Sequence, residues 1–146
     1  MVATEYLTKW AEARAIKNAT GEEIARFIYE RIITQFGCPK EIVSDQGTNF
    51  LGDVVVALTE RFSIKHRVTT AYKPSTNGLV EKTNQTLCRM IAKEAEVLED
   101  KSSWDKKVHA ALWSYRCTPS SSTGFTPFRL VYGIEGMLPI EYDIAT

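Results

Sequence analysis

The chain has 146 residues, of which 44% are apolar and 25% charged, and this composition excludes intrinsically disordered and collagen-like proteins. The length predicts a single domain spanning residues 1–146. Its 18 basic and 18 acidic side chains cancel. Overall charge therefore gives no support for nucleic-acid binding, and any contact with DNA must come from a local group of side chains.

Two kinds of signal are missing from the sequence. No stretch reaches the roughly 18 apolar residues that cross a bilayer, and residues 1–10 lack the basic start and apolar run of a secretory signal, so an intracellular protein is expected. No C-x-x-C pair is present, and no zinc site of known spacing is visible. The available residues are Cys38, Cys88, Cys117, His66 and His109.

The first third of the chain predicts strands followed by a helix. Residues 2–16 favour two short antiparallel strands or one bent strand. A T-x-x-E capping box of Thr20 and Glu23 begins a helix that runs to Phe36 and is ended by Gly37. The apolar residues at helical spacing are Ile24, Phe27, Ile28 and Ile32.

A strand, a turn, a helix and a second strand are expected next. Residues 41–44 are predicted to form the first of these strands, and Asp45-Gln46-Gly47 the turn at its end. A helix at about 52–62 and a strand at 64–68 follow. Residues 69–78, rich in Thr, Ser, Pro, Asn and Gly, predict a loop.

The second half is predicted to be mainly helical. A long helix starts near Asn77, so that Glu81 lies close to its N-terminus, where the helix dipole favours a negative charge. A helix at 104–117, capped by Ser102 or Ser103, and a short helix at 127–132 complete the pattern. Strands alternating with amphipathic helices indicate an α/β layered domain.

Asp45 and Glu81 stand out because one ends a predicted strand and the other begins a predicted helix. Strand ends in open α/β sheets are where sites form, and paired carboxylates there are hard oxygen ligands for Mg²⁺ or Mn²⁺. Two such ions stabilise the attacking and leaving oxygens of a phosphoryl displacement. Taken one at a time, the local sequences favour an ordinary turn residue at Asp45 and a solvated first-turn glutamate at Glu81.

Similarity to a known family favours functional roles for Asp45 and Glu81 over these structural ones. Four blocks carry it: EYLTKWAEA (5–13), FGCPKEIVSDQGTNF (36–50), TTAYKPSTNGLVEKTNQTL (69–87) and ALWSYRCTPSSSTGFTPFRLVYG (111–133). In this order they resemble the integrase catalytic core of gypsy-type LTR retrotransposons and retroviruses, whose second catalytic Asp lies in an SDQG-like turn and whose Glu opens a helix in a G-x-x-E pattern. The 35 residues 46–80 between Asp45 and Glu81 match the family's spacing, and Gly78 stands three positions before Glu81.

The resemblance implies an RNase H-like α/β fold in which a mixed sheet is flanked by helices, and a polynucleotidyl transferase that integrates DNA. It implies Asp45 and Glu81 as catalytic residues and ligands of Mg²⁺ or Mn²⁺. The resemblance also implies DNA as a partner, together with a further copy of the chain or a partner protein. It implies a nuclear location for a working integrase. The family's first catalytic Asp lies on a strand upstream of the segment similar to EYLTKW, and this strand is missing here, as are the family's zinc-binding and C-terminal DNA-binding domains.

The loop before Glu81 departs from the family. Where the family has a Y-H-P-Q-like pattern, this chain has Lys73 and Ser75 on either side of the proline, and Leu79 replaces a common Gln. Ser75 cannot offer the planar amide of Gln, whereas Lys73 adds a charge for phosphate. A solvated helix face is the alternative to a DNA-binding strip here. The residues expected to bind DNA are Lys73, Thr76, Asn77, Lys82 and Gln85.

Other conspicuous residues are interpreted as structural. Glu5 is predicted to be an exposed strand residue, and His66 a structural histidine rather than a metal ligand. The three tryptophans are expected to anchor a core or an interface rather than to stack on bases. They are Trp10, Trp104 and Trp113.

Two functions from different classes follow. As an enzyme with one carboxylate fewer than its family, the isolated chain is not expected to catalyse strand transfer, because such constellations act as a unit. As a non-catalytic interaction or oligomerisation module derived from an integrase, it would use unpaired sheet edges or helices to contact another chain. A fragment of a degraded element is a third interpretation.

Overall fold

The computed structural model of the chain describes residues 1–69, 78, 82–83, 85–90, 92 and 104–137, without the side chains of 104–106. Contacts divide the chain into two compact units, and the single domain expected from the length stays a prediction. One unit comprises Met1–Val2 and Glu12–Lys82, and the other comprises Ala3–Ala11 and Thr83–Thr146. The cap predicted at Ser102 or Ser103 lies outside the described residues.

The N-terminal segment forms two strands, which decides between the two alternatives predicted for it. Strand β1 (Val2–Thr4) pairs with β2 (Ala11–Ala13). The amide of Arg14 donates to the carbonyl of Met1 at 3.0 Å, and the amide of Glu5 to the carbonyl of Trp10 at 2.8 Å, which is an antiparallel register.

Glu5 is exposed as predicted, but it organises the turn after β1 instead of extending the strand. Its carboxylate accepts hydrogen bonds from the amide of Leu7 at 3.0 Å and from the amide and hydroxyl of Thr8, both at 2.6 Å. Partial burial raises the pKa of Glu5, but these hydrogen bonds and the charge of Lys9 outweigh it, and the pKa is lowered from its ordinary value.

Helix α1 (Gly21–Ile28) begins where the capping box predicted it. The Thr20 side chain accepts a hydrogen bond from the Glu23 amide at 3.3 Å, while the Glu23 carboxylate binds Arg26 at 3.0 Å. Only the first half of the predicted box is therefore formed, because the glutamate has a cationic partner one turn along the helix.

The helix continues to Phe36 in a form that the apolar spacing does not predict. A π-helical turn (Tyr29–Ile33) separates α1 from α2 (Thr34–Phe36), and Gly37, with φ of 89°, ends the run as expected. The spacing of apolar residues does not reveal such a turn, because a π-helical turn depends on which carbonyl oxygen accepts the hydrogen bond of each backbone amide.

A strand, helix, strand unit follows. Strand β3 (Glu41–Ser44) leads through a 3₁₀ turn (Thr48–Phe50) into helix α3 (Asp53–Arg61) and then into β4 (Lys65–Val68). Strands β3 and β4 pair in parallel. Helix α1 contributes Ile24 and Ile28 to a buried cluster with Val55 of α3. The predicted elements are confirmed to within a residue or two at their ends.

The described residues of the other unit include three helical segments. Described residues 85–90 are helical, with Leu87 only 2% exposed. Helix α4 (Trp104–Arg116) and helix α5 (Pro127–Tyr132) confirm the two helices predicted near the C-terminus. Thr126 caps α5 by accepting from the Arg129 amide at 3.0 Å, and Gly133 ends it with φ of 78°.

Aromatic rings dominate this second unit. We call Trp10, Trp113, Phe128 and Tyr132 the aromatic cluster, whose ring pairs lie 4.7 to 6.3 Å apart between centroids. The Arg116 guanidinium lies 4.1 Å above the Trp10 ring and donates to the carbonyl of Ala11 at 2.7 and 3.1 Å. Packing roles predicted for Trp10 and Trp113 are thus confirmed, while the Trp104 side chain lies outside the described residues.

Both strand directions occur in this α/β arrangement. In the described ranges the strands form two two-stranded sheets, one antiparallel and one parallel. No helix of the described residues is long and apolar enough to span a membrane.

Candidate metal-binding site

Asp45 lies immediately after β3, at the carboxyl end of a strand that belongs to a parallel pair. This is the edge of an α/β sheet at which ligands commonly bind. The preceding residue, Ser44, is buried, whereas Asp45 itself is exposed. The strand therefore ends in the core and delivers a carboxylate to the surface.

The Asp45 carboxylate is oriented by the turn that follows. Its Oδ1 accepts a hydrogen bond from the amide of Gly47 at 3.0 Å, which is an Asx turn. Among the described residues Oδ2 has no hydrogen-bond partner, and no ion pair of that part of the chain involves Asp45. One carboxylate oxygen is thus held while the other stays open as a ligand.

Gly47 leaves room for this approach. A Cβ atom placed on Gly47 would lie 3.0 Å from Asp45 Oδ1 and 3.4 Å from the Phe50 ring. Contacts this short force a neighbour to move. The sequence predicted a turn at this position, but only the structure shows that the glycine makes room for the carboxylate.

Ser44 connects this turn to the neighbouring strand. Its carbonyl accepts from the amide of Thr69 at 2.8 Å and from the Thr69 hydroxyl at 3.1 Å. Its Oγ lies 2.9 Å from the Asp45 carbonyl and 2.9 Å from Nε2 of His66. His66 thus has the structural role that was predicted for it. Sequence reasoning missed Ser44, because only the register of β3 against β4 brings the two side chains together.

The remaining predicted site residues are placed only in part. Lys82 and Gln85 are helical and exposed, as a DNA-facing strip requires. The other four lie outside the described residues, so the pairing of Asp45 with Glu81 stays a prediction. These four are Glu81, Lys73, Thr76 and Asn77.

The donor chemistry at Asp45 suits a hard divalent cation. An exposed carboxylate with one open oxygen and no cationic partner in the described ranges can ligate Mg²⁺ or Mn²⁺. Within those ranges no group of three or more His, Cys, Asp or Glu side chains is arranged to hold a metal ion. A complete site needs further ligands, of which Glu81 is the predicted one.

Comparison with other sequences relates the chain to Pol polyproteins. No protein-family model matches it. It is 33% identical over 135 residues to the Gag-Pol polyprotein of avian reticuloendotheliosis virus, covering 92% of this chain and 12% of that protein. It is 28% identical over 137 residues to the Pol polyprotein of transposon 412 from Drosophila melanogaster, covering 94% and 11% respectively. The chain thus spans about a tenth of the length of these relatives.

Solved structures agree on the fold. The chain matches a chain of the simian T-cell lymphotropic virus intasome in complex with PP2A regulatory subunit B56 gamma, with a TM-score of 0.81 and 22% identity, over 94% of this chain and 51% of that one. It matches the HTLV-2 integrase catalytic core in complex with magnesium, in a trimeric form, with a TM-score of 0.73 and 23% identity, over 88% and 80%. It matches the catalytic core of BIV integrase with a TM-score of 0.74 and 21% identity, over 99% of this chain and 88% of that one. The chain therefore has the fold of an integrase catalytic core, and it is similar in sequence to part of the Pol polyproteins of retroviruses and retrotransposons.

Proposed function

We propose that the chain takes part in DNA integration by metal-dependent phosphoryl transfer, with Asp45 and Glu81 as ligands of Mg²⁺ or Mn²⁺. The observation that carries this proposal is the Asp45 carboxylate, exposed at the end of a parallel strand with Oδ1 held by the Gly47 amide. The related HTLV-2 core was solved in complex with magnesium, which supports the choice of metal.

The metal would supply charge stabilisation for the attacking and leaving oxygens of a phosphodiester. Asp45 would hold it through Oδ2, because Oδ1 is already engaged by the Gly47 amide. Glu81 would add a second carboxylate. Lys82 and Gln85, both exposed, would contact the DNA backbone and keep it in register, together with the predicted loop residues Lys73, Thr76 and Asn77.

Metal binding is tested by titrating the isotope-labelled chain with Mn²⁺ and following paramagnetic broadening by NMR. We expect broadening centred on Asp45, and a loss of affinity of about 10-fold or more in Asp45→Asn. Asp53→Asn, which removes another exposed acid at the start of α3, is the matched control and should bind as the wild type does. Absence of Asp45-centred broadening in the wild type would contradict the proposal.

DNA contact is tested by the salt dependence of binding to a duplex. Lys82→Gln should weaken binding to all sequences and reduce the slope of log affinity against log salt by about 1, as expected for one phosphate contact. Lys17→Gln removes an exposed lysine far from the predicted strip in sequence and serves as control. Equal effects of the two substitutions would show that the strip is an ordinary solvated face.

A second proposal is that the chain associates with further copies of itself. Large apolar side chains are exposed over residues 125–137, as an association face requires. They are Phe125, Leu130, Tyr132, Ile134 and Met137. The trimeric form of the HTLV-2 core and the intasome of the simian virus show that related folds occur in assemblies.

Light scattering tests this second proposal. Ile134→Glu places a charge on a side chain that is 66% exposed and should reduce the measured mass towards that of a monomer. Leu7→Glu makes the same change at a side chain that is 75% exposed in the hairpin turn and is the matched control. A wild-type chain that is monomeric at all concentrations tested would rule the association out.

A further inference from the structure

We propose that Ser44 and His66 are positioning residues for Asp45: a hydrogen-bond relay from the His66 imidazole through the Ser44 hydroxyl to the Asp45 carbonyl aims the carboxylate at its metal. The consequence for metal binding rests on the proposed function. The relay itself does not, because it is a matter of geometry within β3 and β4.

The protons of the relay can be assigned. A carbonyl oxygen only accepts hydrogen bonds, so the single hydroxyl proton of Ser44 is donated to the Asp45 carbonyl, 2.9 Å away. The Ser44 oxygen must then accept from His66, whose Nε2 lies 2.9 Å away. His66 therefore carries a proton on Nε2, and the relay runs in one direction from the ring to the turn.

The strand register explains why these side chains meet. In the parallel pair, Ile42 is opposite His66 and Ser44 is opposite Val68. Ser44 and His66 thus lie on the same face of the two strands, displaced by two positions, since alternate residues of a strand share a face. The opposite face carries Glu41, which pairs with Lys65 at 3.6 Å and with Arg67 at 3.0 Å.

Ser44 is held too firmly to follow the turn if the turn moves. Only 8% of the residue is exposed, and its carbonyl accepts two hydrogen bonds from Thr69. The Ser44 hydroxyl is therefore a fixed point, and the Asp45 carbonyl that it binds is held with it. A buried hydroxyl with both a donor and an acceptor partner is fully satisfied and rigid.

Fixing the Asp45 carbonyl fixes the carboxylate. That carbonyl belongs to the peptide unit between Asp45 and Gln46, whose orientation sets the direction in which the chain runs to Gly47. The Gly47 amide then meets Asp45 Oδ1 at 3.0 Å. Backbone and side chain of Asp45 are thus restrained by one hydrogen bond each, and Oδ2 is left with a defined direction.

The experiment compares two substitutions of His66 in the full chain. His66→Phe keeps a planar ring without the donor, and His66→Gln keeps an N–H donor near the position of Nε2. Ser44→Ala removes the middle of the relay with a small change in volume. His109→Phe, at an exposed histidine of α4, is the matched control. Hydrogen exchange of the Gly47 amide, the Asp45 resonances and the Mn²⁺ affinity are measured for each variant.

We expect His66→Phe and Ser44→Ala to speed exchange of the Gly47 amide by about 2- to 10-fold, as the loss of one hydrogen bond predicts. Mn²⁺ affinity should fall by about 10-fold, as for other losses of support behind a metal ligand. His66→Gln should return both Gly47 exchange and Mn²⁺ affinity most of the way to their wild-type values. His109→Phe should change neither quantity. If His66 served stability alone, His66→Phe would lower the unfolding midpoint, and His66→Gln would not restore the exchange rate of the Gly47 amide.

Two outcomes overturn the proposal. The first is unchanged Gly47 exchange and unchanged Asp45 resonances in folded His66→Phe or, should that variant fail to fold, in Ser44→Ala. The second is that His66→Gln loses as much Gly47 protection from exchange and as much Mn²⁺ affinity as His66→Phe does. If Gly47 exchange responds as expected while the wild type binds no Mn²⁺ at Asp45, the relay stands and the proposed metal function fails, so the two failures are distinguishable.

Discussion

The aromatic cluster and the Asp45 turn are organised by different forces. In the cluster, four aromatic rings pack together and the Arg116 guanidinium lies over the Trp10 ring. Trp10 is only 7% exposed. At the Asp45 turn, directional hydrogen bonds from Ser44 and Gly47 place one exposed carboxylate. The cluster buries area, which stabilises a fold without requiring much angular precision. The turn buries little and defines a direction.

This difference separates stability from function. Substitutions in the aromatic cluster or in the core around Val55 should change the free energy of unfolding, while substitutions at the Asp45 turn should change the proposed metal binding at nearly constant stability. Each region can therefore be tested without disturbing the other measurement.

The largest effect is expected for Trp10→Ala. The ring contacts Phe128, Tyr132 and Arg116, so its removal should lower the free energy of unfolding by about 3–5 kcal/mol in urea denaturation. Trp113→Ala should cost clearly less, since Trp113 is 37% exposed. Equal losses at the two tryptophans would show that the cluster is not centred on Trp10.

Thr20→Ala tests a polar contact that supports an element rather than a ligand. The Thr20 side chain caps α1 by accepting from the Glu23 amide, and its loss should cost about 1 kcal/mol in urea denaturation. Thr48→Ala, at an exposed threonine of the 3₁₀ turn, should change stability by only a few tenths of a kcal/mol. A null effect of Thr20→Ala would leave α1 dependent on its buried face alone.

Gly47→Ala tests the Asp45 turn without changing any polar group. Its φ of −54° suits alanine, so we expect a change in stability below about 1 kcal/mol. The new methyl group would press on Asp45 Oδ1 and should weaken Mn²⁺ binding. Gly52→Ala, where a Cβ would meet Asn49 at an ordinary 3.6 Å, should bind Mn²⁺ normally. Unaltered binding in Gly47→Ala would show that the carboxylate position is not critical.

The smallest effect is expected for Glu5, and it depends on pH. Because folding lowers its pKa below the ordinary value of 4.5, Glu5 stabilises the folded chain above that value, and this contribution is lost as the pH falls through the lower, folded pKa. The stability difference between the wild type and Glu5→Gln should therefore shrink on acidification below pH 4.5. A difference that stays constant from neutral to acid pH would show that the effect of Glu5 does not depend on ionisation of its carboxyl group.

Much of the fold was predictable because it follows from local patterns. The cap of α1 at Thr20, the end of the helical run after α2 at Gly37 and the helix Pro127–Tyr132 were all predicted from capping residues and apolar spacing, which act within one or two helical turns. The π-helical turn and the turn position of Glu5 were not, because each depends on which backbone group finds which partner.

The candidate site divides in the same way. Asp45 was predicted from its place after a strand and from resemblance, and the structure places it at a parallel strand end. The support behind it was not predictable, since Ser44 and His66 are 22 positions apart and meet only through the β3 and β4 register. The DNA-binding residues Lys73, Thr76 and Asn77, and the second ligand Glu81, stay predictions.

By itself, the sequence determined the α/β character, the order of the elements and the acid at the end of β3, because helix caps, apolar periodicity and turn residues act over a few neighbouring residues. Only the tertiary structure decided what holds that acid in place. A hydrogen bond between distant residues requires the strands to pair in one register, and the pairing is a property of the folded chain: in β3 and β4 it brings a histidine to a serine, and the serine to the carbonyl of Asp45.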